Sequence, residues 1–308
     1  MLLIDDMFSE TFLKQNEITN NMKKNLLEKA SVFLLKKGFT VKSLTRSCFD
    51  VLARNNERIL LIKALEDANS IGREFADEMH KISAYIGATP IIIAEKASNM
   101  LEDNIIYTRF GIFTLNLGTF TNCVNNKFPL IKRTQAGLTA SIVGGKLREK
   151  REQFGYSLNH LSKKVGVTSR MIAKYENEDS EVTISKAMKI YDIFGQDVFN
   201  EVNIFSRIER INASGKTEFS KKYIELGFNA ADTNKAPFDI IAKKEDELIL
   251  TEVGDKANPQ MQSLSELLNA DNLVIFKKKR PKDIPAVTKE EFMDFEKANQ
   301  LIKFLKGF

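Results

Sequence analysis

The chain is poor in the residues that build metal and redox centres. It has two cysteines, Cys48 and Cys123, and two histidines, His80 and His160, in 308 residues. Two cysteines make no disulfide framework and no CxxC spacing occurs, so a reducing compartment is expected. Neither histidine has a cysteine or histidine near it in sequence, which leaves no structural zinc motif. No apolar run is long enough to span a bilayer, and there is no charged-then-apolar leader with a cleavage site. A cytoplasmic protein without a membrane partner is expected. A glycine-rich phosphate loop, a GxGxxG turn and a nucleophile elbow are also missing, so nothing asks for a cofactor. Ala136-Gly137 and Gly144-Gly145 are isolated pairs that read as turns. The chain's α/β units leave room for a pocket for a small-molecule effector, with no motif to name it.

What is present suits a globular chain of two or three domains. The net charge of +5 permits nucleic-acid binding without requiring it. The basic residues are unevenly spread: Lys146, Arg148, Lys150, Arg151, Lys163, Lys164, Arg170 and Lys174 fall within one short stretch. A second run, Lys277 to Lys282, follows an apolar strand and reads as a solvated loop.

That basic stretch, residues 143 to 197, has the period of four short helices. The first carries Leu147, Arg151 and Phe154 on one face and stops at Gly155. Ser157 can cap the second, with Leu161, Ser162 and Val165 inward. Gly166 suits a tight bend because it accepts positive φ, and Ser162 is small enough for a close crossing. Thr168 can cap the third, with Met171, Ile172 and Tyr175 inward. Thr183 can cap the fourth, which would bury Ile184, Ala187, Met188, Tyr191 and Phe194. The outer edge of the resulting corner carries Thr168, Ser169, Arg170 and Lys174. An exposed helix of this kind fits the major groove.

The register of Leu147, Arg151, Leu161, Gly166, Ile172, Glu176 and Asn177 resembles the Cro/cI-type helix-turn-helix of phage repressors and many prokaryotic regulators, the XRE-like class. The resemblance implies an internal ion pair between Arg151 and Glu176. It also implies base reading from Thr168, Ser169, Arg170 and Lys174, within a recognition helix at 168–175. Lys146, Arg148 and Lys163 are expected to hold the DNA backbone. Two positions depart from the pattern. Leu158 stands where a polar DNA contact is usual. Glu178 stands where a glycine is usual, so Asn177 is expected to supply the left-handed turn.

The flanks read differently. A helix over Asn20 to Lys37 is followed by strands at Phe39–Val41, Phe49–Ala53 and Arg58–Leu65. A helix at Gly72–Ile86 and strands at Pro90–Ala94, Ile105–Tyr107 and Ile112–Leu115 continue the α/β alternation, closed by a helix at Thr119–Val124. After Phe199 the pattern returns. LGFNAADTNKAPFDIIAKKEDELILTEVGDKAN lies without a gap on KGFTVKSLTRSCFDVLARNNERILLIKALEDAN, and Ile284 to Phe292 has the spacing of Ile112 to Phe120. The chain thus holds an internal repeat whose second copy is trimmed between its middle strands.

Each copy resembles the core of the PD-(D/E)xK nuclease fold. That chemistry needs an Asp, then an acidic residue and a Lys two apart on the next strand, so that two carboxylates hold Mg²⁺ while the Lys steadies a water. The first copy has Asp50 and Lys63 with Leu61 in the acidic place. The second has Asp239, with Leu250 and Glu252 in the other two. Glu57, Glu66 and Glu95 are substitutes by composition only. Neither set is complete, so neither copy is expected to be an enzyme, and Asp50, Lys63, Asp239 and Glu252 are residual candidates. The stretches FDVLARNNERILLIKALEDANSI, ATPIIIAEK, LEDNIIYTRFGIFTLN and GKLREKREQFGYSLNHLSKKVGV also resemble a family of archaeal helix-turn-helix transcriptional regulators.

The expected architecture is two restriction-endonuclease-like α/β units flanking an all-α, lambda-repressor-like domain of four to five helices. The segments are 1–126, a hairpin or linker at 127–142, the helix-turn-helix at 143–200, and 201–308. Double-stranded DNA is the expected partner, and the protein is expected to act as a homodimer joined through the α/β units. A metal-dependent nuclease directed by DNA structure, and an adaptor binding protein or RNA, are the alternatives.

Overall fold

A computed structural model describes residues 23–205, 213–255 and 258–308. The apolar start, the polar run after it and the first turn expected at Asn20 lie outside the described residues, as does Ala257 of the repeat. In chain order the elements are helix α1 (residues 23–36), strands β1 (Thr40–Ser43), β2 (Val51–Arg54) and β3 (Ile59–Asp67), α2 (Arg73–Ile86) and β4 (Thr89–Ala97). Then come β5 (Asn99–Met100), β6 (Ile105–Arg109), β7 (Ile112–Leu115), α3 (Leu117–Val124), β8 (Ile131–Thr134) and β9 (Gly137–Ile142). The helix-turn-helix region holds α4 (Gly144–Gln153), α5 (Leu158–Val165), α6 (Ser169–Asn177), β10 (Ser180–Thr183) and α7 (Ile184–Phe194). The remainder is α8 (Glu218–Glu225), β11 (Asn229–Asp232), β12 (Ile240–Lys244), β13 (Glu247–Val253), α9 (Pro259–Leu268), β14 (Asp271–Phe276), β15 (Ala286–Thr288), α10 (Lys289–Met293) and α11 (Ala298–Lys306).

Two compact units result. One combines the chain up to Ile92 with the chain from Phe205 on, and the other runs from Ile93 to Ile204. The first unit contains the repeat, and the match holds to the register. Val41 faces Ala53 as Ala230 faces Ala242, and Leu52 faces Leu61 as Ile241 faces Leu250. The trimming is visible too, since β14 passes through one loop to β15 and pairs with it in parallel. β3 and β13 are apolar because both of their faces are covered, with Leu60, Leu61, Ile62, Ile249 and Leu250 fully buried.

The two copies pack on each other reciprocally. α2 lies on β12, and α9 lies on β1 and β2. The Cys48 N–H and the Ser47 hydroxyl both donate to the Lys235 carbonyl, at 2.7 and 3.0 Å. Lys81 donates to the Asp232 carbonyl and Arg54 to the Leu267 carbonyl. The repeat is therefore a dimer within one chain. The face shared by the copies is covered within the chain. Both cysteines are free and buried, and burial pushes each thiol up to about 12.

In the second unit, β6 and β7 form a hairpin, β8 pairs with β6 in parallel, and β8, β9 and β10 are antiparallel neighbours. The segment 127–142 is thus a hairpin, not an extended linker, and Gly137 takes positive φ at its turn. The helical domain is not purely helical. β10, between α6 and α7, had no signal of its own because four residues carry no readable period. Its Val182 joins Ala140 and Ile142 in the core with Leu147, Leu161, Val165, Ile172, Ala187, Ile190 and Phe194.

Candidate nucleic-acid interface

The corner forms as its caps dictate. The Ser157 hydroxyl accepts from the His160 N–H, and the Thr168 hydroxyl from the Met171 N–H. Between these helices Gly166 takes φ 75°, and its N–H and that of Val167 both return to the Ser162 carbonyl. Ser162 is buried at the crossing, with its hydroxyl 3.2 Å from that of Ser169. Leu158 is half-buried and packs on the core, which explains why no polar residue stands there.

The faces differ from the periodic reading in four places. Phe154 and Met171 are half-exposed at 51% and 40%, and Met188 and Tyr191 are exposed at 60% and 49%. α7 turns Ile190 inward instead, because it packs against one side only and its apolar stripe is wider than its contact. Thr183 makes no side-chain cap. Asn177 does not take the left-handed turn either. α6 leaves directly into extended backbone at Glu178, φ −135°, since the chain proceeds straight into β10.

The expected ion pair is present in fork geometry. Arg151 donates from Nε to Glu176 Oε1 at 2.6 Å and from its terminal nitrogen to Oε2 at 3.0 Å. A third donation reaches the Tyr156 carbonyl. Its hydrogen bonds to Glu176, outweighing burial, push the Arg151 guanidinium above its ordinary value. Glu176 is buried, so this link fixes α4 against α6 inside the core. Gly144, read as a turn residue, is the first residue of α4. A Cβ there would lie 2.6 Å from the Tyr175 carbonyl oxygen and 2.8 Å from that of Glu176.

The sequence-expected DNA contacts divide into two groups. Thr168, Arg170, Lys174, Lys146 and Lys163 are exposed. No carboxylate among the described residues pairs with any of the four cations. Ser169 is half-buried against Ser162, and Arg148 is partly engaged with Glu176 and Asn177. Two cations escaped the sequence reading. Lys186 on α7 donates to the Gly166 carbonyl at 2.8 Å, and Lys189 lies 3.2 Å from where a Gly166 Cβ would sit. Two like charges beside one turn make an anion-attracting spot. Their spacing of three on a short helix was the available signal. His160 stacks on Tyr156 at 4.5 Å between ring centroids, a packing role. The Lys277 to Lys279 backbone N–H groups converge on Asp255, leaving the side chains of that run in solvent.

The nuclease-like centres do not fit a catalytic Mg²⁺ ion. In the first copy Asp50 Oδ1 accepts from Lys23 at 3.0 Å and Lys63 at 3.2 Å, and Oδ2 accepts from the Ala64 N–H at 2.9 Å. Leu61 is fully buried in place of the second carboxylate. In the second copy Asp239 accepts from the Val253 N–H and Glu252 from the Asn258 N–H. Burial, with the charge of Asp239 in support, raises the Glu252 carboxyl above its ordinary value. Among the described residues no lysine joins them, and no cluster of three metal-ligating side chains is found.

A pH test follows from Glu252. An acid whose folded value is raised holds its proton better folded than unfolded, so its contribution falls as pH rises from the ordinary glutamate value through the raised one. Glu252→Gln is expected to raise the thermal midpoint at neutral pH and to leave it nearly unchanged at pH 4. An equal gain at both pH values would show that charge is not the cause.

Comparison with known proteins agrees with this geometry. Residues 23–129 match the PD-(D/E)XK superfamily domain and residues 147–198 match the helix-turn-helix family. Three curated relatives carry the name "Putative HTH-type transcriptional regulatory protein". That of Archaeoglobus fulgidus is 31% identical over 91% of this chain and 97% of its own. That of Methanocaldococcus jannaschii is 30% identical over 86% and 91%. That of Methanosarcina barkeri is 30% identical over 84% and 88%. No solved structure matches the chain. No described helix is long and apolar enough to cross a membrane.

Proposed function

The chain belongs to this family of archaeal HTH-type transcriptional regulatory proteins, and from that premise we propose a regulator that reads a specific DNA sequence through α6. The observation that carries the proposal is the outer face of α6. Arg170 and Lys174 stand exposed with no acidic partner among the described residues, on a helix whose inner face is locked by Arg151 and Glu176. Arg170 is the residue suited to a guanine edge, and Thr168 to a base or a phosphate at the helix start. Met171, exposed beside them, suits a thymine methyl. Lys146, Lys163, Lys186 and Lys189 supply backbone contacts.

One corner covers one half-site, so two chains on a near-palindromic operator are proposed. With the shared face of the repeats covered within the chain, the two chains would join elsewhere. The nuclease-like copies are read as a scaffold without hydrolysis, because the Asp50 carboxylate is held by two ammonium groups and a backbone N–H. Metal-dependent cutting of duplex or branched DNA that disappears in Asp50→Ala or Asp239→Ala would reverse that reading.

The direct test starts by selecting bound fragments from genomic DNA with the purified protein. Arg170→Ala is expected to weaken binding to the selected site by about 1–3 kcal/mol and to relax preference at one base pair. Lys186→Ala with Lys189→Ala should weaken all duplexes alike and flatten the salt dependence. Arg170→Ala affinity equal to wild type would remove α6 from base reading. Binding insensitive to salt would favour a protein partner for this face.

A further inference from the structure

β6 and β8 run in parallel but are paired only at Ile105–Ile131 and Ile106–Lys132. Both strands continue past that seam, to Arg109 and to Thr134, without pairing to each other; there β6 pairs only with β7 and β8 only with β9. Where they part, a cavity of about 260 Å³ opens. Tyr107, Thr108, Arg109, Asn99, Glu102 and Arg133 line it. Side chains two apart on a strand share a face, so Tyr107 and Arg109 stand together, and Arg133, the first residue of β8 past the seam, lines the same cavity. The Tyr107 hydroxyl accepts from the Glu102 N–H at 3.4 Å. Among the described residues no carboxylate lies within ion-pair reach of Arg109 or Arg133, the Glu102 side chain included. Two guanidinium groups around one small cavity, against a single acid on its wall, leave a net positive site.

We propose that this cavity is a binding site for a small dianion, a phosphomonoester or a dicarboxylate, held between Arg109 and Arg133. A guanidinium presents paired donors that match both groups, which an ammonium does not. The cavity is too small for a duplex and of a size for a compact metabolite. An anion bridging the two arginines would draw β6 and β8 together beyond their short seam. β8 turns into β9, and β9 pairs with β10, the strand set between α6 and α7. The bound anion thereby acts on the frame of the recognition helix. That coupling rests on the DNA-binding reading, whereas the anion site itself does not.

The test uses the full chain at constant ionic strength, with inorganic phosphate and malonate as probes and the thermal midpoint as readout. At least one probe should raise the midpoint saturably in the millimolar range or below. Arg133→Ala, at an exposed position, and Arg109→Ala should each weaken that apparent affinity about tenfold or more. Arg109→Lys should recover only part of it. Arg170→Ala should leave the shift intact, which separates this site from the recognition helix. The absence of a saturable shift with either probe, or a shift that survives in both alanine variants, overturns the proposal. So does a loss of non-operator duplex affinity in those variants without any probe effect, because the arginines would then be backbone contacts.

Discussion

Arg151→Met is expected to destabilise the helix-turn-helix by about 3–5 kcal/mol, the cost of leaving a buried carboxylate without its partner. The loss comes from Glu176, which is buried and would be left with only the looser contact to Arg148, at 3.6 Å. It also strands the Tyr156 carbonyl, which takes the third Arg151 donation. The double variant Arg151→Met with Glu176→Met should recover much of the loss, since two apolar side chains of similar length remove the stranded charge. Native-state hydrogen exchange of the α4 and α6 amides reports this region without waiting for the other unit to unfold. If the single variant costs under about 1 kcal/mol, the pair behaves as a surface salt bridge and does not hold the corner.

Gly144→Ala is expected to cost about 3 kcal/mol, the upper part of the range for overpacking a tight site. The added methyl would meet two backbone carbonyl oxygens, at 2.6 and 2.8 Å, and backbone cannot rotate away as a side chain can. The start of α4 would be pushed from the end of α6, stretching the Arg151–Glu176 link. Operator affinity should fall with the stability, because the presentation of α6 depends on that contact. Gly145→Ala is the control: its Cβ would meet nothing within 4 Å, and a helix-interior alanine should be neutral or mildly stabilising. Equal effects at the two glycines would show that the contact is not the cause.

Much of this architecture was legible because its signals are local. Ser157 and Thr168 cap where they stand, Gly166 bends where the period breaks, and the gapless repeat foretold two meanders with one register. The misreadings concern surfaces. Met171, Met188 and Tyr191 fit an apolar stripe, but a stripe does not say how much of itself a neighbour covers. Ser169 and Arg148 stay expected DNA contacts, with Ser162, Glu176 and Asn177 taking part of their hydrogen bonding.

The resemblance to the Cro/cI-type motif implied the ion pair; the sequence by itself determined the helical corner, the two repeated α/β meanders and the incompleteness of both acidic centres. These follow from caps, periods and residue identity within short stretches. Only the tertiary structure decided that the repeats cover each other's faces, that Lys23 and Lys63 share Asp50, that Gly144 is a contact point, and that Lys186 and Lys189 gather at Gly166. Each of these joins residues far apart along the chain or on different elements. Such pairings are set by close packing and by unsatisfied polar groups finding partners, and neither is written in any local run of residues.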